Sequence, residues 1–377
     1  MVTVVGLGLG ADSLTPEVQK AVKKAEVLAG AERHLALFAE STARRLKKAD
    51  LEKFLDEIVT HSKTSHVVVL ASGDPGFYGV AWKLAQRLPE AEFEIICNIS
   101  SFQAAFARLK LSWVGAQVVC MHGGRIRDLF PALIRSDQVA VLNDHLHTPA
   151  RVAELLLQRG QDKWQAWVLE DLGMASEKVN LWELEQIKSR EFAKLSMMVL
   201  LRKGLLPVFT DPELGREIRA AVLANLDLHK ADCFWDVFNP DPYMALCASR
   251  RLWQGGVVAF HSDPEKEKDL KLLCSEYGAA NLEVTTPGQS TEGLKQPGAI
   301  HVAGERLRSQ ADLKSLWLEL GPGGVLAVSC RKETQQKKAL AELGALTKNL
   351  RCLSLAVGRA RPDEMSDSCF LCLAIKA

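Results

Sequence analysis

At 377 residues the chain is longer than one hydrophobic core usually organises, so two or more domains are expected. Its composition, 47% hydrophobic and 25% charged, is that of an ordinary soluble globular protein. A formal net charge of +1 supplies no global pull toward nucleic acid or a membrane surface, so an acidic ligand must be met by a local basic cluster.

In chain order, short β-rich apolar runs alternate with helical periodicity, the pattern of an α/β protein. The opening MVTVVGLGLG enters a buried strand directly, without the basic and apolar regions of a secretory signal, and a cytoplasmic location is expected. Strands are predicted at 2–5, 67–71, 93–97 and 117–121, with helices at 15–25 and 77–87 among them. Further strands are predicted at 139–143, 165–170 and 195–201. Gly204 and Pro207 then interrupt regular structure, which places a boundary between domains at 1–204 and 207–377. The second part begins with a helix whose Leu214, Ile218, Val222 and Leu226 form one apolar face. Strands come next at 233–237, 257–260, 282–285, 299–302, 325–329, 353–357 and 369–374. Helices separate the first five of these, the order of a doubly wound sheet with an antiparallel tail. No apolar run reaches the roughly 18 residues that would suggest a membrane span. Cys369 and Cys372 have metal-site spacing but sit in an apolar strand without a second ligand pair, so they read as core residues and no metal is expected.

Two loops in the first part suit a nucleotide-like ligand. The first strand runs into Gly6-Leu7-Gly8-Leu9-Gly10, where glycine lets backbone approach a ligand closely. The strand at 67–71 ends in Ser72-Gly73-Asp74-Pro75-Gly76-Phe77-Tyr78-Gly79, at the carboxyl end where open α/β sheets bind ligands. From local sequence alone, Asp74 reads first as a helix N-cap.

These loops, with Ile99-Ser100-Ser101-Phe102-Gln103, closely resemble the tetrapyrrole methylase family and its carbon-5 precorrin branch. Gly30-Ala31-Glu32-Arg33-His34, Met121-His122-Gly123-Gly124-Arg125 and Glu170-Asp171-Leu172-Gly173 with Glu177 extend the resemblance over residues 1–204. The resemblance implies two α/β lobes, divided near residue 112, with S-adenosylmethionine folded in the cleft between them. Its holders would be Gly8, Leu9, Gly10, Gly73, Asp74, Ser100 and Ser101, mostly through backbone groups. An electron-rich carbon of the macrocycle would attack the sulfonium methyl in line, so alignment and a dry cleft carry much of the catalysis. Asp74 is the candidate general base for the proton lost from the methylated carbon. Arg33, His34, His122 and Arg125 are the candidates for the carboxylates of a precorrin or cobalt-precorrin substrate. A homo-oligomer is implied, and nucleic acid and membrane are not expected partners. The family commonly has proline at Leu9 and Pro-Gly at Cys97-Asn98; backbone contacts survive if Asn98 adopts an unusual dihedral.

Residues 207–377 resemble the carbon-15 methylating and decarboxylating domain often fused behind such a methylase, a class I, Rossmann-like methyltransferase. Active relatives carry D-V-G-A-G-T-G after the first strand, whereas this chain has Asp236-Val237-Phe238-Asn239-Pro240-Asp241-Pro242. His261 stands where relatives place the ribose-binding acid, and Ala303-Gly304-Glu305-Arg306 replaces a further glycine-rich run. Three altered contact regions lead to the expectation that only the first domain binds S-adenosylmethionine. Methylation at carbon 5 is then the leading expectation, with carbon-15 chemistry left to a separate enzyme. The alternatives are bifunctional methylation at carbons 5 and 15 with decarboxylation, and a non-catalytic tetrapyrrole-binding scaffold.

Overall fold

The computed structural model describes residues 1–122, 126–204, 215–229, 232–261, 263–286, 295–306, 310–357 and 367–376. The expected boundary at 205–207, Leu214 and the glycines at 123–124 lie outside them.

The first sheet contains β1 (Val2–Gly6), β2 (Val27–Gly30), β3 (Arg44–Lys47), β4 (Val67–Ala71) and β5 (Phe93–Ile96), all parallel, in the order β3-β2-β4-β1-β5. The valine-rich β1 and β4 are buried on both faces. Val2, Val4, Val67 and Val69 enter one core, while Val5, Val68 and Leu70 enter the other. The helix Pro16–Lys23 covers the second of these faces through Val18, Ala21 and Val22; Thr15 Oγ1 caps it by accepting from the Val18 N–H at 3.3 Å. The carboxyl ends of β4, β1 and β5 therefore lie side by side along one end of the sheet.

The second sheet contains β6 (Gln117–Cys120), β7 (Gln138–Leu142), β8 (Trp164–Glu170), β9 (Lys178–Glu183) and β10 (Ser196–Arg202), ordered β6-β7-β10-β8-β9. β6 and β7 are parallel and the other pairs antiparallel.

The third sheet contains β11 (Cys233–Val237), β12 (Gly256–Phe260), β13 (Leu282–Thr285), β14 (Ala299–Ala303), β15 (Val325–Cys330), β16 (Leu350–Val357) and β17 (Asp367–Ile375). Its order, β13-β12-β11-β14-β15-β17-β16, reverses direction between β11 and β14, and β17 runs antiparallel to both its neighbours. This is the expected doubly wound, Rossmann-like sheet with its antiparallel tail. Cys369 and Cys372 are buried in β17. Among the described residues, no helix is long and apolar enough to cross a membrane.

Two expectations need correction. β2, β3 and β9 are strands that the apolar-run criterion missed. The helix expected at 77–87 is confined to Ala81–Ala85. The preceding segment is a tight turn: Tyr78 has φ 52°, and a Cβ on Gly79 would lie 2.2 Å from the Pro75 carbonyl oxygen. A helix cannot pass through that geometry.

Candidate active site

The glycine loop after β1 and the loop after β4 are joined to each other. Gly8 N–H donates to the Gly73 carbonyl at 3.2 Å, and Gly73 N–H returns a bond to the Gly8 carbonyl at 3.0 Å. Both glycines are left-handed, with φ 57° and 63°, which explains their residue type without reference to a ligand. Gly10 differs: its φ is 131°, and a Cβ there would meet nothing within 4 Å, so bare backbone faces open space.

Asn98 is the hub of this arrangement. Its Nδ2 donates to the carbonyls of Gly6 and Ser13, each at 2.9 Å, and its Oδ1 accepts the Ile99 N–H at 2.7 Å. Its backbone φ is not positive, so the departure from Pro-Gly works through side-chain bonds rather than an unusual dihedral. The Asn98 N–H in turn donates to Asp74 Oδ2 at 3.2 Å, while Asp74 Oδ1 accepts the Gly76 N–H at 2.7 Å. Both carboxylate oxygens of Asp74 therefore hold loop backbone.

Ser100 begins the helix Ser101–Leu109 in a reciprocal capping box. Its hydroxyl oxygen accepts the Gln103 N–H at 3.2 Å, and Gln103 Oε1 accepts the Ser100 N–H at 2.9 Å. The second lobe meets the glycine loop through Gly173, whose φ is 80° and whose Cβ would fall 2.4 Å from Leu9 Cβ. Gly173 N–H donates to Glu177 Oε2 at 2.7 Å, and Arg108 Nε donates to Glu177 Oε1 at 2.7 Å. That charged bond to Arg108 holds the Glu177 carboxyl below its ordinary range.

These loops open onto one cavity of about 1740 Å³ that runs between the first two sheets. Gly8, Leu9, Gly10, Gly73, Asp74, Ser100 and Ser101 all line it, as do Arg33, His34 and His122. Every predicted site residue among the described ones is thus brought to a single cleft; Arg125 lies outside the described residues. Burial, with the neighbouring Arg33 charge second, lowers the pKa of His34 and favours its neutral form. His122 is exposed, with Nδ1 3.4 Å from Cys120 Sγ.

Sequence reasoning missed several lining residues. Lys48, Lys83, Arg135 and Lys194 add positive charge to the cleft. Tyr78 also lines it, and its hydroxyl donates to the Val118 carbonyl at 3.1 Å, linking the first lobe to β6. A non-glycine residue held at positive φ costs on the order of 1–3 kcal/mol and marks a constrained site. The available signal was Phe77-Tyr78 between two glycines. The four cations had none, since isolated Lys and Arg are usually solvated.

At the switch point of the third sheet, polar side chains bond to one another. His301 Nδ1 lies 2.8 Å from Asp236 Oδ1, and its Nε2 lies 2.9 Å from Ser329 Oγ. Asn239 Nδ2 donates to both oxygens of Asp236 at 3.2 Å. Phe238 keeps a glycine-like φ of 58° but carries its ring into the neighbouring core cluster. His261 is buried beside this network, and desolvation lowers its pKa.

A family model described as Tetrapyrrole (Corrin/Porphyrin) Methylases matches residues 1–188. A precorrin-6Y C(5,15)-methyltransferase [decarboxylating] from Sinorhizobium sp is 28% identical over 323 residues, 80% of this chain and 78% of that protein. A cobalt-precorrin-7 C(5)-methyltransferase from Salmonella typhimurium is 32% identical over 182 residues, 48% of this chain and 89% of that protein. A probable cobalt-precorrin-7 C(5)-methyltransferase from Methanocaldococcus jannaschii is 29% identical over 207 residues, 53% of this chain and 97% of that protein.

Proposed function

Because this chain belongs to the tetrapyrrole methylase family, we propose that its first two lobes methylate carbon 5 of a precorrin macrocycle in cobalamin biosynthesis. The observation that carries the reading is the shared cleft: the glycine loop, the Gly73–Asp74 loop and the Ser100–Ser101 turn face the same cavity as Arg33, Lys48, Lys83, Arg135 and Lys194.

The residues present fit S-adenosylmethionine, because Gly10 leaves its Cβ position open beside loops fixed by Gly8, Gly73 and Asn98. When bound, that cofactor supplies the sulfonium methyl group. Gly8, Leu9, Gly10, Gly73, Asp74, Ser100 and Ser101 would hold it, mainly through backbone groups. The Ser100 hydroxyl already serves its helix cap, so the contribution assigned to Ser100 is positional. Arg33, His122 and Arg125 serve the substrate's carboxylates, and neutral His34 offers a hydrogen-bonding rather than a charged contact. Asp74 clamps two loops through both oxygens; as general base it would use a lone pair left over from those bonds. In this reading the Glu177–Gly173–Leu9 contact closes the second lobe over the cofactor and limits water entry.

The cofactor is assigned to the first domain only. In the second, Asp236 is committed to Asn239 and His301, Phe238 fills a glycine position, and His261 replaces an acid. Carbon-15 methylation and decarboxylation would then fall to another protein. The bifunctional reading has its own support, since the Sinorhizobium relative aligns with 80% of this chain. Titrating S-adenosylhomocysteine into the full chain by calorimetry decides between them. One site per chain is expected; two sites would transfer the lead to the bifunctional enzyme. Product mass gives a second readout, with one methyl added in the first case and two added with carbon dioxide lost in the other.

A further inference from the structure

The third sheet's domain reaches the cleft of the first two lobes. Gln254, in the turn before β12, lines the cavity although its neighbours there come from the first domain. Beside it, the half-buried Trp253 lies under the guanidinium of Arg135, 5.2 Å from the ring centroid. Arg135 ends the helix Leu129–Arg135 and also donates to Gln117 Oε1 on β6. One cation of the cleft is thus positioned from two sides, by the second lobe and by the appended domain.

A separate patch anchors that domain on the second lobe. Arg159 pairs with Glu283 at 2.5 Å, Gln161 Nε2 donates to the Cys274 carbonyl at 3.2 Å, and the Ser275 hydroxyl donates to Asp162. A Cβ on Gly160, at φ 66°, would lie 2.8 Å from the Lys271 carbonyl oxygen, so the two backbones touch. Ala280 is buried within the second lobe's own core cluster. The Trp253–Gln254 turn therefore lies on a body tied down at several points.

We propose that the appended domain forms a wall of the substrate cleft, with Trp253 positioning Arg135 for a carboxylate of the macrocycle and Gln254 facing the same ligand. This rests on the proposed assignment of the cleft to a precorrin. Trp253 is a positioning residue here, acting through Arg135. The turn precedes β12, so it lies at the opposite end of the strand from the domain's switch point. The role needs no cofactor in the second domain.

The test is steady-state kinetics of the full chain with S-adenosylmethionine and an anaerobically prepared precorrin lacking the carbon-5 methyl. Trp253→Ala should raise KM for the precorrin about three- to tenfold, the range of one partly exposed cation–π contact. kcat and the Kd for S-adenosylhomocysteine should stay within about twofold, and Trp253→Phe should recover most of the loss by restoring a ring face. Gln254→Ala, an exposed change that leaves the fold alone, should also raise KM. Unchanged KM in both alanine variants would overturn the proposal, as would parallel losses in kcat and cofactor binding, which mean general damage. If the unaltered chain methylates no precorrin, the underlying assignment fails, a result visible before any substitution is made.

Discussion

Replacing Asn98 with alanine isolates the contribution of the loop hub. Three hydrogen bonds of 2.7–2.9 Å disappear, two of which fix the carbonyls of Gly6 and Ser13 on either side of the glycine loop. At about 1 kcal/mol net each, local stability should drop by roughly 2–4 kcal/mol. The Asn98 N–H to Asp74 bond uses backbone and persists in principle, so the two loops should loosen rather than separate. If ordering the loop must then be driven by binding, affinity for S-adenosylhomocysteine should fall about ten- to a hundredfold, at 1.4 kcal/mol per factor of ten. Calorimetry measures that loss, and hydrogen exchange at the Ile99 amide reports the local opening independently. Asn98→Gly should behave the same way, because glycine also lacks the side chain. Binding within twofold of the unaltered chain in either variant would refute the hub argument.

Gly173→Ala should cost at least tenfold in cofactor affinity, because its Cβ would meet Leu9 Cβ at 2.4 Å on a backbone with φ 80°; the same calorimetric titration checks it. Asp74→Asn should weaken binding only modestly if the residue is a clamp, yet cut turnover a hundredfold or more if it is also the base, by the usual scale of general base catalysis. Wild-type turnover with normal affinity would end the base assignment. The lowered pKa values of His34 and His261 make stability pH-dependent. Below the ordinary value of 6.5 the unfolded chain takes up protons that the folded one resists, so stability falls as pH drops below about 6.5 and levels off once the folded pKa is passed. Urea unfolding between pH 7.5 and 5.5 should show this, and His261→Gln should flatten part of the slope.

The elements legible in the sequence are those that local chemistry dictates. The runs at 67–71 and 233–237 are strands over the predicted residues, because a short, continuously buried run rich in β-branched and aromatic residues has few other solutions. Arg44–Lys47 and Lys178–Glu183 were missed because both are edge strands with charged, largely exposed side chains, held in place by pairing with a neighbour. The glycine loops were legible because only glycine tolerates their dihedrals. Asn98 was not, since its partners Gly6 and Ser13 lie 92 and 85 residues away. Arg135 and Trp253 belong to different domains, and no pattern in one segment predicts their meeting.

The hydrogen bonds of Asp236 bear on what opening the switch point of the third sheet would require. Placing glycine at 238, 240 and 242 would free the backbone there but leave the carboxylate engaged by Asn239 and His301, with histidine still at 261. Removing those partners alone would leave the buried Asp236 side chain with unsatisfied oxygens, which costs on the order of 1–3 kcal/mol. The loop after β11 and His301 on β14 are therefore coupled through Asp236, and a variant meant to open the switch point must change them together.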